Sequence, residues 1–166
     1  NYNHFNGTDW DESGRKNGVF RFSGKKWDQN VDAENGNYDY LMGADIDYNN
    51  PDVVEEIKKW GKWYVETTNI DGLRLDAVKH INADFYKNWI KNLRQETKEE
   101  LFAVGEYWSA NINTMIEYLD KTDNCMSLFD VPLHYNFYRA SVSNGEFNMA
   151  EIFEGTLVKA LSLIHI

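Results

Sequence analysis

The sequence is poor in cysteine and in basic residues, and it lacks long apolar runs. One cysteine, Cys125, among 166 residues excludes an intrachain disulfide framework. With 17 Lys and Arg against 27 Asp and Glu, the net charge of -10 leaves no basic surface for phosphates, so we expect no nucleic-acid partner. No apolar run reaches the roughly 18 residues that a membrane span needs, so we expect no membrane partner.

Aromatic residues, in contrast, are abundant. They make up 15% of the chain, with six Trp and ten Tyr. Such a composition serves both a Trp-rich core and the stacking of aromatic rings on neutral sugars. The length and the 42% content of hydrophobic residues suit a globular domain with its own core.

The chain changes character near residue 50. The first fifty residues are rich in Asn, Asp and Gly, and only short runs such as Gly18–Phe22 alternate like strands. Asn50 followed by Pro51 then predicts a capped helix of about four turns. The apolar positions that recur at helical spacing in this segment are Val53, Ile57, Trp60 and Tyr64.

Strands and helices alternate in the rest of the chain. Apolar runs at 70–78, 101–106 and 127–131 predict strands, separated by helical patterns that carry Phe85, Trp89 and Leu93 or extend over 112–119. This alternation predicts an α/β fold with a parallel sheet, which fits either a doubly wound sheet or a (β/α)₈ barrel. The segment is too short for a whole barrel of ~250 residues.

Two acids end neighbouring predicted strands. Side chains of a strand alternate, so Arg74 and Asp76 share a face, and Glu106 ends the next strand just before Tyr107 and Trp108. A strand spacing of ~4.8 Å allows the ~5–5.5 Å carboxyl separation of a retaining glycosidase. Arg74 would favour ionised Asp76, whereas Glu106 is better placed to hold a proton. The alternative is an Arg–Asp ion pair and a capping Glu.

Acidic residues also gather in the first fifty residues. Hard oxygen ligands in a loop-rich segment suit Ca²⁺, and a solvated acidic surface explains them equally well. The acids concerned are Asp28, Asp39, Asp45 and Asp47.

The acidic strand ends resemble two motifs of glycoside hydrolase family 13. The segment Asp71–His80 resembles its fourth-strand motif, and Gly105–Trp108 resembles its fifth-strand motif. From His4 to about Val158 the chain resembles the bacterial liquefying α-amylases of that family. The resemblance implies a partial (β/α)₈ TIM barrel over 49–160. It also implies a calcium-binding part of domain B over 1–48, and an atypical end at 161–166.

The resemblance also implies roles for individual residues in the endo-hydrolysis of α-1,4-glucosidic bonds of starch or maltooligosaccharides. Asp76 would be the nucleophile and Glu106 the general acid/base of a retaining double displacement, with Arg74 orienting Asp76. Lys79 and His80 would line the aglycone side of the cleft. Tyr107 and Trp108 would lie near it, with a packing role as the alternative.

Metal ligands follow from the same resemblance. Asp39, Asp45 and the His80 carbonyl match a first Ca²⁺ site, whereas Asp28 and Asp47 match a second Ca²⁺ and a bridging Na⁺. Asn6 stands where these relatives carry Asp, which removes one charge from the second site.

The family's third catalytic acid, in a Phe-Val-Asp-Asn-His-Asp-like segment, is not found in this sequence, so we expect the chain alone to be inactive. The start at Asn1 reads as the middle of a longer protein, and we expect a monomeric, secreted bacterial parent enzyme, with the cytoplasm as the alternative. Two other functions stay open. One is a non-catalytic, calcium-dependent carbohydrate-binding module, and the other is a family 13 transglycosylase or oligosaccharide hydrolase.

Overall fold

The computed structural model describes residues 2–32, 41–98 and 100–162, and of residue 162 only its backbone. The strands are β1 Phe5–Asp11, β2 Lys16–Arg21, β3 Ala44–Ile46, β4 Gly72–Leu75, β5 Phe102–Gly105 and β6 Ser127–Leu128. The helices are α1 Pro51–Thr68, α2 Ala83–Glu96, α3 Ile112–Lys121, α4 Val131–Val142 and α5 Leu157–Ser162. Short 3-10 turns cover Tyr2–His4, Val78–His80 and Met149–Glu151.

The strands form two separate sheets. The first three build an antiparallel sheet in the order β2-β1-β3, and the last three build a parallel sheet in the order β4-β5-β6. The parallel sheet confirms the prediction from strand–helix alternation. The alternation at Gly18–Phe22 predicts part of β2. No such pattern marks β1, because Phe5–Asp11 contains Asn, Gly and Asp, which are poor strand formers.

The core lies between the parallel sheet and its helices. Leu73 and Leu75 of β4 pack against it from the sheet, and Ile90 and Leu93 of α2 are fully buried within it. The predicted division of β4 into an apolar face toward the helices and a polar face is therefore confirmed by the packing of the leucines. No helix in the described ranges is long and apolar enough to span a membrane.

The predicted strand at 127–131 is shorter than expected. β6 ends at Leu128, and α4 begins at Val131 with Asp130 as its N-cap. The Asp130 carboxylate accepts hydrogen bonds from the backbone N–H groups of Leu133 at 3.1 Å and Val158 at 2.9 Å. A capping aspartate satisfies orphan amides at a helix start, which explains why the apolar run leaves the strand conformation here.

The predicted helix at Pro51 is confirmed, with Asn50 accepting from the Asp52 N–H as its cap. The apolar positions that recur at helical spacing are buried to different degrees. Trp60 and Tyr64 are 52% and 36% exposed and stack on each other, whereas Gly61 and Val65 are buried. The buried face of α1 therefore continues from Ile57 to Gly61, and a hydrophobic pattern does not predict that a glycine is buried.

Gly61 allows α1 and α2 to approach closely. A Cβ at this position would lie 2.9 Å from a ring carbon of Trp89 and 3.0 Å from a methyl carbon of Leu93. Trp89 is held in place by a hydrogen bond from its Nε1 to the Ile57 carbonyl at 3.2 Å. The ring therefore has little freedom to move away.

We predict that Gly61→Ala destabilises the chain despite its better helix propensity. Alanine gains about 1 kcal/mol over glycine within a helix. Overpacking a close contact costs about 1–3 kcal/mol, so the free energy of unfolding should fall. Urea denaturation measures it, with Thr67→Ala at an exposed position of α1 as the control. A Gly61→Ala chain more stable than its parent would contradict the close packing.

Candidate active site

The parallel register brings the two strand-end acids together. Arg74 pairs with Val104 and Leu75 with Gly105, so Asp76 and Glu106 follow at the same edge of the sheet. The Glu106 N–H donates to the Leu75 carbonyl at 2.8 Å. The ladder thus extends one residue past the strand and fixes the backbone of Glu106.

A strained turn carries Asp76 away from the sheet. Ala77 adopts a left-handed conformation with φ 45° and ψ 43°, which is unfavourable for any residue with a Cβ. Val78, which has no exposed surface, anchors the turn, and its N–H donates to the Glu106 carbonyl at 3.0 Å. Such strain costs about 1–3 kcal/mol and persists only where surrounding contacts enforce it.

Arg74 joins the two carboxylates. Its Nη2 lies 3.1 Å from Asp76 Oδ1 and 2.8 Å from Glu106 Oε2. Since one nitrogen contacts both oxygens, these lie no more than about 6 Å apart, which agrees with the spacing of a retaining pair. The resemblance predicted that Arg74 orients Asp76, but the contact of Arg74 with Glu106 is the shorter of the two. Its guanidinium also lies 5.7 Å from the ring centre of Phe129.

A cavity of about 420 Å³ opens beside this triad. Glu106 is one of the residues that line the cavity, and its side chain is 25% exposed. Asp76 does not line the cavity, and its side chain is 79% exposed. Trp108 lines the cavity as well, and its indole N–H donates to the Tyr135 hydroxyl at 3.1 Å. The complete lining is Arg74, Glu106, Trp108, Phe129, Asp130, Val131 and His134.

Phe129 and His134 line this cavity but are not among the predicted site residues. Phe129 directly follows β6, and His134 lies in the first turn of α4 with its ring 5.5 Å from that of Trp108. Their position after the third parallel strand is the signal that was available. Side chains after successive strands of a parallel sheet converge at one edge.

Three other predicted site residues lie outside the lining of this cavity. Tyr107 is only 4% exposed, and together with Lys79 it lines a separate cavity of about 250 Å³. The Tyr107 hydroxyl donates to the Asp32 carboxylate at 2.5 Å. His80 lies at the end of the turn after β4, where its N–H donates to the Ala77 carbonyl at 3.1 Å. Contacts of Tyr107, Lys79 and His80 with a substrate stay a prediction.

Comparison with known proteins decides the family. The family model "Alpha amylase, catalytic domain" matches residues 8–162. This chain belongs to the α-amylase catalytic-domain family. It is 56% identical to an α-amylase of Geobacillus stearothermophilus over 158 residues, which cover 94% of this chain and 29% of that protein. It is 52% identical to a glucan 1,4-α-maltohexaosidase of Bacillus sp. (strain 707) over 159 residues, which cover 94% of this chain and 31% of that protein.

A solved structure agrees with this assignment. The chain matches a crystal structure of an α-amylase from Geobacillus thermoleovorans complexed with acarbose, with a TM-score of 0.56 and 25% identity. The match covers 67% of this chain and 25% of the other. The predicted α/β fold with part of a (β/α)₈ barrel is therefore confirmed for this α-amylase family member. The chain spans about 30% of the length of the curated relatives it matches.

Asp28, Asp45 and Asp47, three acids of the two predicted metal sites, lie close enough to interact electrostatically. Burial, followed by the charges of Asp45 and Asp47, raises the pKa of Asp28 to about 6. Burial is also the largest cause of the raised pKa of Asp45. Lys25 neutralises part of the charge through its 2.7 Å contact with Asp47. The acids are thus not a fully solvated surface.

Within the part of the chain that the structure describes, two buried oxygens of this cluster have no hydrogen-bond donor: Asn6 Oδ1 and Asp45 Oδ2. Unpartnered oxygens beside three carboxylates fit a hard cation such as Ca²⁺. Among the described ranges, no group of three or more His, Cys, Asp or Glu side chains converges as a metal cage. The predicted ligand Asp39 lies outside the described residues, so the predicted first site is not described in full.

We predict that Asp28 destabilises the calcium-free chain at neutral pH. Its pKa is 3.8 in the reference state and about 6 in the folded chain, so the folded state binds the proton more tightly. The free energy of unfolding should therefore fall as pH rises from about 4 to above 6. In EDTA, Asp28→Asn should remove this fall and be more stable than the parent at pH 7.

Urea denaturation at a series of pH values measures this effect, with the exposed Asp120→Asn of α3 as the control. If Asp28→Asn keeps the pH dependence of the parent chain, the assigned pKa of Asp28 is wrong.

Proposed function

We propose that this chain supplies the nucleophile and the acid/base of a retaining α-amylase, which hydrolyses internal α-1,4-glucosidic bonds of starch. The observation that carries the proposal is the contact of one Arg74 nitrogen with both Asp76 and Glu106 at the ends of adjacent strands. The geometry suits two carboxylates that act on opposite sides of one glycosidic bond.

In the first step, Asp76 Oδ attacks the anomeric carbon while Glu106 donates its proton to the glycosidic oxygen. The bond from that carbon to the leaving oxygen breaks, and a covalent glycosyl–Asp76 ester forms. Arg74, 3.1 Å from the 79% exposed Asp76 carboxylate, holds it in place. The departing sugar leaves with the proton of Glu106.

In the second step, ionised Glu106 removes a proton from a water molecule. That water attacks the anomeric carbon, the ester bond to Asp76 breaks, and the carboxylate is regenerated. Two inversions at one carbon give net retention of the α configuration. Glu106 ends the cycle protonated, as it began.

The cavity beside Glu106 suits a neutral sugar. Trp108 and Phe129 are 46% and 42% exposed, so they offer ring surface for stacking, and His134 adds a polar edge. A maltohexaose-forming glucanase is a second candidate, because the strain 707 relative bears that name at 52% identity. Both candidates share the chemistry of Asp76 and Glu106 and differ in product size. A non-catalytic carbohydrate-binding module would need no paired acids at strand ends.

We also propose that calcium supports the fold of the parent enzyme. Asp39, Asp45 and the His80 carbonyl would hold a first Ca²⁺. Asp28 and Asp47, with the Asn6 carbonyl oxygen, would hold a second Ca²⁺ and a bridging Na⁺. The ion supplies positive charge where these acids repel each other. We propose a secreted, monomeric parent, with the cytoplasm as the alternative compartment.

The test uses a hybrid in which this chain replaces the matching segment of the Geobacillus stearothermophilus α-amylase, which is 56% identical to it. We predict that Glu106→Gln and Asp76→Asn each lower starch hydrolysis by the hybrid at least ~10³-fold, because each acid acts in the chemical step. The 166-residue chain alone should show no activity on a blocked maltoheptaoside.

The matched control is Glu66→Gln, an exposed acid on α1 outside the active-site cavity. It should keep the activity of the hybrid. Activity of either active-site variant within tenfold of the hybrid would refute the assignment of that residue.

We predict opposite effects of Asn6→Asp with and without calcium. A fourth carboxylate adds repulsion in EDTA and should lower the melting temperature, whereas at saturating calcium it adds a charged ligand and should raise it. A calcium titration of the melting temperature in the hybrid measures both effects. If the hybrid and its Asn6→Asp variant give equal titrations, Asn6 is not a metal ligand. If EDTA leaves the melting temperature of the hybrid unchanged, the proposal that calcium supports the fold is wrong.

A further inference from the structure

Tyr107 faces away from the candidate cleft although it follows Glu106 directly. Its ring is buried and packs against that of Tyr118, with 4.8 Å between the ring centres. Its hydroxyl donates to Asp32 Oδ2 at 2.5 Å. A hydrogen bond from a phenol to a carboxylate is charge-assisted, and it gains strength where water is excluded.

Asp32 makes a second contact through its backbone. Its N–H donates to the Lys79 carbonyl at 2.8 Å, in the turn that follows Asp76. One residue of the N-terminal segment is therefore tied to the loop after β4 and to the end of β5. These are the two segments that carry the proposed nucleophile and acid/base.

The backbones of these two segments are also tied to each other. The Val78 N–H donates to the Glu106 carbonyl at 3.0 Å, and the Tyr118 hydroxyl donates to the Val78 carbonyl at 3.3 Å. Asp32 adds two contacts to this network, through its carboxylate to Tyr107 and through its N–H to the Lys79 carbonyl. A displacement of Asp32 would reach both Asp76 and Glu106 through the main chain.

We propose that Asp32 and Tyr107 form a positioning pair that fixes Asp76 relative to Glu106, a role that rests on the proposed function. Neither residue lies in the set that lines the active-site cavity. The pair acts through the backbone and not on the sugar. Because a misplacement of ~1 Å can cost ~10²-fold in rate, a partial loosening by one lost hydrogen bond should cost about 10-fold.

Kinetics of the hybrid separate positioning from substrate binding. Tyr107→Phe keeps the buried ring and removes only the donor, and Asp32→Ala removes the acceptor. Each should lower kcat about 10-fold and leave KM within about twofold, and the double variant should be no worse than either single one. Tyr138→Phe, which removes an exposed hydroxyl on α4, should leave both constants unchanged.

Three kinetic results would overturn the pair. A rise in KM at constant kcat would make Tyr107 a substrate contact, as its place in the sequence first indicated. Losses that multiply to about 100-fold in the double variant would show that the two residues act independently. Unchanged kcat in both single variants would show that the contact does not matter for the chemistry.

Hydrogen exchange tests the contact without any activity. In the 166-residue chain, Tyr107→Phe should speed exchange of the Asp32 amide, which donates to Lys79, and leave the amides within α2 unchanged. Unchanged exchange at Asp32 would overturn the pair. If the unsubstituted hybrid is inactive but Tyr107→Phe speeds exchange of the Asp32 amide, the proposed function is wrong. The hydrogen bond between Asp32 and Tyr107 is then a structural contact only.

Discussion

The arrangement depends on one guanidinium group between two carboxylates. Asp76 and Glu106 end adjacent strands, and without a cation their like charges would push the exposed Asp76 turn away from the sheet. Arg74 points to the same side because it lies two residues before Asp76 on the polar face of β4. Leu73 and Leu75 on the opposite face bury the strand against its helices, so the core itself fixes where the guanidinium lies.

The N-terminal segment restrains the same acids from outside the barrel segment. Asp32 reaches the turn after β4 and the residue after Glu106, and the acidic cluster around Asp28 lies earlier in the same stretch of chain. Burial and mutual repulsion raise the pKa of Asp28, so this region carries unfavourable charge that a cation would neutralise. A metal ion bound by this cluster, as proposed, would lie in the same stretch of chain as the backbone contacts of Asp32.

Patterns with a strong local cause were predictable from the sequence. The cap at Asn50, the alternation of β4 and the adjacency of the two strand-end acids follow from backbone geometry, and the structure has all three. Gly61 was missed because close helix packing selects a residue without a side chain, which a hydrophobic pattern does not register. The sequence also could not predict that the Tyr107 side chain points toward Asp32, because these two residues are 75 positions apart.

The most direct test of the account is to trap the covalent intermediate. A hybrid with Glu106→Gln, given a maltosyl fluoride whose leaving group needs no acid, should form the glycosyl ester but hydrolyse it slowly. Mass spectrometry of the digested protein should then find one maltosyl unit on the peptide that contains Asp76. No adduct, or an adduct on a peptide with another acid such as Asp130, would contradict the assignment of Asp76 as the nucleophile.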